Sequence, residues 1–151
     1  MIEIQAPNKV VKIEGNISIF LAGSIELGNA VEWQQALISE FKDSNITFLN
    51  PRSNDWDSTW EQSINNKQFS EQVNWELDSL ESADHIVLYL DPNTKSPISL
   101  LELGLHATGG KLIVCCPDGF WRKANVDIVC QRNNILTLDS LDDLIKHIQK
   151  L

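Results

Sequence analysis

The stretch Ile17-Ser18-Ile19-Phe20-Leu21-Ala22-Gly23-Ser24 is a short, nearly continuous apolar run that ends abruptly in a glycine and a serine. So continuous a run marks a strand buried within a sheet. It reads as a central strand feeding a loop, and at Gly23 the missing Cβ lets backbone come close to a ligand.

Beyond Gly28-Asn29, apolar residues recur at Ala30, Trp33, Leu37 and Phe41, the spacing of one helix face. Ile46-Thr47-Phe48-Leu49 gives a second strand, stopped by Asn50-Pro51. The polar stretch from Arg52 to Asn66 carries Trp56 and Trp60 without a clean period and reads as a long, partly ordered loop. From Phe69 a helical stripe returns through Val73, Leu77 and Leu80, and the strand His85-Ile86-Val87-Leu88-Tyr89-Leu90 follows, ended by Asp91-Pro92-Asn93. Pro97 suits the first turn of a helix running to about Thr108, and Gly109-Gly110 stops it before a strand from Leu112 to Cys116. Ile135 to Leu138 is a short strand; Ser140 and Asp143 then form a capping box for a last helix with the stripe Leu141, Leu144, Ile145, Ile148 and Leu151.

Strands alternating with helices at this spacing predict an α/β fold: a single-domain, Rossmann-like or flavodoxin-like three-layer sandwich with about five mostly parallel strands, spanning residues 1–151. Ligands of such folds sit beyond the carboxyl ends of the strands. Gly23-Ser24, Asn50-Pro51, Asp91 to Pro97 and Pro117 onward are therefore the segments expected to border a site.

With 151 residues and 42% hydrophobic content, the chain is long enough for one core without disulfide or metal support. It shows neither a secretory leader nor an apolar run of membrane-spanning length, so a soluble cytoplasmic protein with no membrane partner is expected. Twelve basic against twenty-one acidic residues give a net charge of -9, which repels polymeric nucleic acid but leaves room for a single mononucleotide. Cys115, Cys116 and Cys130 form no CxxC pair and read as structural thiols of a reducing compartment. His85, His106 and His147 lack ligand spacing, so no metal and no organic cofactor are expected. Neither GxGxxG nor GxxxxGK[ST] occurs, which disfavours dinucleotide and triphosphate chemistry.

Two acids stand where apolar residues are expected. Ile98, Leu101 and Leu105 mark an inward stripe on the helix after Pro97, and Glu102 occupies its missing position. Glu76 lies beside the stripe of the preceding helix, between Val73 and Leu80. Burying an unpaired charge costs several kcal/mol, so each acid must be paired, hydrogen-bonded or turned to a cavity. Each could simply cap backbone or pair with Arg52, Arg122 or Arg132. Alternatively, two carboxylates facing one pocket suit cleavage at an anomeric carbon, one ionised to attack and the other holding the leaving group or a proton. Glu102, in the first two turns of its helix, has the dipole's help to stay charged. Glu76 lacks it and is expected to titrate higher.

The chain resembles the nucleoside 2-deoxyribosyltransferase family and its nucleotide N-glycosidase relatives. The residues that carry the likeness are Ile19-Phe20-Leu21-Ala22-Gly23-Ser24-Ile25, Glu76 through Leu80 with Ala83 and Asp84, and Leu101-Glu102-Leu103-Gly104-Leu105-His106-Ala107. The resemblance implies that Glu102 is the nucleophile forming a covalent glycosyl-enzyme, and that Glu76 stands where the family usually has an aspartate contacting the base. Phe20 falls where relatives often carry a tyrosine whose hydroxyl orients the nucleophile. Ser96 falls where transferases tend to hold an aspartate for the sugar 5′-hydroxyl and nucleotide hydrolases a serine near phosphate; it also reads as the N-cap of the helix at Pro97. Asn125 resembles an asparagine that members lend to a neighbouring subunit, implying a homodimer or higher homo-oligomer; a plain surface loop anchored by Phe120 and Trp121 is the other reading. Asn50 and Arg52 are further ligand candidates at the pocket edge, with Gly23 and Ser24. The implied partner is a small nucleoside or nucleotide, and the implied reaction is transfer of its N-glycosidic bond to another base. Alternatives are hydrolysis of a nucleoside 5′-monophosphate and, given Phe20, nucleotide binding or sensing without turnover.

Overall fold

The computed structural model describes residues 1–25, 32–53, 57 and 59–151. Gly28, Asn29, Ala30 and Trp56 lie outside the described residues. The described elements run β1 (Ile2–Gln5), β2 (Ile17–Gly23), α1 (Trp33–Ser39), β3 (Ile46–Asn50), α2 (Lys67–Ser82), β4 (His85–Tyr89), α3 (Pro97–His106), β5 (Leu112–Cys115), α4 (Lys123–Arg132), β6 (Leu136–Leu138) and α5 (Leu141–Ile148). The six strands form one sheet in the order β1-β3-β2-β4-β5-β6, and every neighbouring pair is parallel.

The sheet exceeds the expected five strands by β1. Its four residues pair with β3 at the sheet's edge, from Ile2 opposite Thr47 to Gln5 opposite Asn50. So short an edge strand gives little periodic signal. A second element absent from the sequence reading is α4, whose buried face is only Val126 and Cys130.

Alternate β2 side chains divide the core into two layers. Phe20 and Ala22 face Leu80 and Ala83 at the end of α2, Leu103 of α3, and Val126 and Cys130 of α4. Ile19 and Leu21 face Trp33, Leu37 and Ile38 of α1 and Leu144 and Ile148 of α5. Helices thus cover both faces, as two-sided burial of β2 requires. All three cysteines are free and buried. Burial pushes the Cys115 thiol up to about 12, with Cys116 adding to the shift, which leaves it an inert packing group. Among the described residues, no helix is long and apolar enough to cross a membrane.

The α3 stripe is a correction. Ile98, Leu101 and Leu105 are 61%, 58% and 57% exposed, whereas Ser99, Glu102 and Leu103 form the buried face. The helix is rotated about its axis relative to the expected orientation, yet the rotation still carries Glu102 inward.

Candidate active site

The chain turns from one side of β2 to the other between β3 and β4, so the topological switch lies between the carboxyl ends of β2 and β4. The two strands stay paired to Gly23 and Tyr89, and the connections that follow them leave for opposite faces of the sheet, where ligands of such folds bind. Gly23 ends β2 opposite Tyr89, at φ +135°. A Cβ at this position would stand 2.2 Å from the Tyr89 carbonyl oxygen. The close approach that demands glycine is therefore to the neighbouring strand.

Next to it, Ser24 bridges the two loops. Its Oγ lies 2.6 Å from Ser96 Oγ and 2.9 Å from Thr94 Oγ1, and accepts from the Asp91 N–H at 2.9 Å. Thr94 Oγ1 also lies 2.7 Å from Ser96 Oγ and donates to the Asp91 carbonyl at 2.9 Å. Ser24, Thr94 and Ser96 are all buried. The three hydroxyls thus lie within hydrogen-bond distance of one another. Ser96 stands at the N-cap position of α3 in the left-handed region, at φ 45°, and its side chain makes no capping hydrogen bond. The capping role read from the sequence does not hold: the hydroxyl is turned to Ser24 and Thr94.

Glu102 and Glu76 lie on α3 and α2, two of the three helices that cover one face of the sheet. Glu102 is 8% exposed, and Glu76 is half-buried. Burial pushes the Glu102 carboxyl up to about 8, and the nearby charge of Glu76 adds to the rise. Burial also raises Glu76, opposed by the Gln72 side chain, whose Nε2 donates to Glu76 Oε1 at 2.7 Å. The electrostatic division expected from the helix dipole is thus reversed in the unliganded site. Loss of water around Glu102 outweighs the pull of the α3 amino end, because a dipole at the second turn acts weakly beside desolvation.

The remaining candidates are dispersed around this centre. Phe20 is fully buried, its ring 6.3 Å from that of Trp75 on α2. Asn50 is fixed by donation to Glu3 Oε1 at 2.8 Å and by accepting the Arg52 N–H at 3.0 Å. Arg52 Nη2 pairs with Glu32 Oε1 at 3.5 Å, while its Nη1 is buried without a hydrogen-bond partner among the described residues. Asn125 is exposed on α4. In the loop before α4, Trp121 donates to the Lys95 carbonyl at 3.0 Å and carries the Arg122 guanidinium 4.3 Å above its ring.

Two groups escaped the sequence reading. The hydroxyl cluster joins residues 70 positions apart, a proximity that no local pattern records. Gln72 is buried one helical turn before Glu76, and only its i, i+4 spacing could have suggested the contact. Among the described residues, no three His, Cys, Asp or Glu side chains gather as a metal ligand set.

An all-parallel sheet with its switch point between β2 and β4, and with two inward acids on helices of one face, is an α/β arrangement of the kind that binds small ligands beyond the strand ends. The chain belongs to the nucleoside 2-deoxyribosyltransferase-like family, whose model matches residues 16–120. A conserved protein from Enterococcus faecalis V583, known by its crystal structure, is similar in fold, with a TM-score of 0.66 and 14% identity. The likeness covers 89% of this chain and 98% of that one. No curated protein matches the sequence.

Proposed function

We propose that the protein cleaves or exchanges the N-glycosidic bond of a nucleoside or nucleotide through a covalent glycosyl–Glu102 intermediate. The observation that carries this reading is the pair of neighbouring carboxylates turned inward on α2 and α3. At neutral pH the pair holds a proton, mostly on Glu102. Substrate binding moves it to Glu76, leaving Glu102 anionic. Glu102 then attacks C1′ as the bond from C1′ to the base nitrogen breaks, and the departing nitrogen takes the proton from Glu76. Water or a second base reverses the sequence, with Glu76 accepting the proton as the incoming group bonds to C1′. Arg52 Nη1 has no hydrogen-bond partner among the described residues, and a substrate oxygen would satisfy it.

The inward Ser96 hydroxyl gives the 5′-phosphate reading less support than the sequence suggests, whereas Arg52 still offers an anion a partner. A second reading, a binding protein without turnover, is favoured by the largely protonated Glu102 and by the hydroxyl-free Phe20. The reading extends, on the strength of the family likeness, to a homo-oligomer in which Asn125 reaches a neighbouring copy. The apolar row Ile98, Leu101 and Leu105, exposed along α3, supports that assembly.

Chromatographic detection of free base, from nucleosides and their 5′-monophosphates with and without an acceptor base, tests the proposal. Release or exchange that Glu102→Gln reduces by at least about a thousandfold is expected; acceptor dependence separates transfer from hydrolysis. Ligand binding with no base release from any of these substrates would move the assignment to the binding protein.

A further inference from the structure

Gln72 lies on the inner side of α2 and is only 4% exposed. A buried primary amide must place both N–H bonds, and Gln72 does so on two different structural elements. Its Nε2 donates to the Pro51 carbonyl at 2.9 Å and to Glu76 Oε1 at 2.7 Å. Pro51 directly follows Asn50, whose side chain is itself held at both ends, by Glu3 and by the Arg52 N–H. One side chain therefore clamps the loop after β3, which carries Arg52, to an acid on α2.

Three consequences follow from the geometry. With both donors engaged and its stem enclosed, the Gln72 amide has one orientation, so Glu76 Oε1 is held in place and Oε2 is left for another partner. The contact is strongest when Glu76 is anionic, because a hydrogen bond to a charged acceptor is roughly twice as strong as a neutral one. Finally, any shift of the Arg52 loop is transmitted through Pro51 and Gln72 to the carboxylate.

We infer that Gln72 is a positioning residue, fixing the direction of the Glu76 carboxylate and coupling it to the loop that bears Arg52. The inference deepens the N-glycosidic reading and rests on it for the role of Glu76. Gln72 touches no reacting atom; it acts through Glu76. The charged group that acts with Glu76 is Glu102 on α3, while the Arg52 guanidinium on the clamped loop is paired with Glu32. With Gln72 supplying the donor to Glu76, the proton of the acid pair is directed to Glu102. That is the asymmetric resting state from which substrate binding must move it.

The test uses protein labelled with 13C at the glutamate carboxyl carbons, the Glu76 resonance being assigned with Glu76→Gln. Gln72→Met keeps the length of the stem and removes both donors. In that variant Glu76 is expected to titrate about one pH unit higher. Glu102 is expected to titrate lower, because its neighbour stays neutral to higher pH. In the assay for base release, kcat should fall about tenfold with KM changed less than about threefold, the pattern of a misdirected group. A folded Gln72→Met protein with an unmoved Glu76 titration would overturn the inference. Should that variant not fold, the unmodified protein supplies the answer. Its Gln72 side-chain amide protons should shift through the Glu76 titration and stay flat in Glu76→Gln, and flat signals in both would overturn the inference equally. Neither NMR readout needs turnover, so failure of the enzyme assignment and failure of the Gln72 role are separable.

Discussion

Glu102 is a nucleophile candidate that its surroundings keep protonated, and this fixes the sign of its pH dependence. The mechanism needs one proton shared by the pair, so kcat/KM, which reports the free enzyme, should fall tenfold per pH unit above about 8, where the pair loses that proton. Glu76→Gln removes both the acid and the neighbouring negative charge, so the maximum should fall and the alkaline limb should give way to a rise through a Glu102 titration lying below about 8. A rise still centred near 8 in that variant would show that burial alone sets the Glu102 titration. Gly23 makes a different demand. Gly23→Ala drives a Cβ to 2.2 Å from the Tyr89 carbonyl oxygen, in a backbone region that side chains rarely adopt. Both β2 and β4 are central, so the sheet cannot easily yield. A loss of about 3 kcal/mol or more in urea denaturation is expected. Of these two residues, the sequence revealed both as special and explained each only in part. Glu102 stood out because an acid interrupted apolar spacing. Its environment was not readable, since desolvation depends on what α2 and the sheet place around it. Gly23 stood out as a strand-ending glycine, but the atom that excludes a side chain belongs to a residue 66 positions away.

The elements differ in how much of them the chain's own pattern specified. For α5, the capping box is present: Ser140 Oγ accepts the Asp143 N–H at 3.1 Å, and Leu144 and Ile148 are buried. Ser140→Ala should cost about 1 kcal/mol in chemical denaturation and leave the site untouched, because α5 packs on the opposite sheet face from the acids. By contrast α3 was placed correctly in sequence and wrongly in rotation. Apolar side chains are the default choice for an inward face, but the converse rule fails, since much of any protein surface is apolar. Ile98, Leu101 and Leu105 are where it fails here. An exposed row of three large aliphatic residues on α3 is the place to test the proposed assembly. Leu101→Glu should convert a homo-oligomer to monomers in light scattering coupled to gel filtration, with the circular dichroism spectrum unchanged. If the unaltered protein already runs as a monomer at micromolar concentration, the oligomer proposal fails. The strand β1 and the helix α4 went unread because each owes its existence to a neighbour. The former completes an edge beside β3, and the latter covers β5 with two buried side chains.

Across the whole molecule, the titrating groups pull stability in opposite directions at the two ends of the pH scale. Asp84 Oδ2 accepts from the Ser18 N–H at 2.9 Å and the Ser18 hydroxyl at 2.7 Å, which ties the start of β4 to the start of β2. These bonds hold the Asp84 carboxyl below its usual value of 3.8, so their stabilisation is present above that value and lost as pH falls through the lowered one. Glu102 behaves oppositely. Its native carboxyl binds a proton more tightly than the unfolded chain does, so the native state is favoured at low pH. That advantage drains away as pH rises from the ordinary value of 4.5 through about 8. Integrated over the window, the loss is on the order of 5 kcal/mol for a group this buried. Glu76, also raised, adds to it with the same sign. A chain already carrying a net charge of -9 has little spare attraction to offset a further buried anion. Maximum stability should therefore lie near pH 5, and Tm should fall by roughly 10 °C between pH 5.5 and 9. Glu102→Gln has no proton to lose, so its Tm should decline far less and overtake that of the unaltered protein at the alkaline end. Parallel declines in the two proteins would place the alkaline loss elsewhere and show that Glu102 is better solvated than its burial implies.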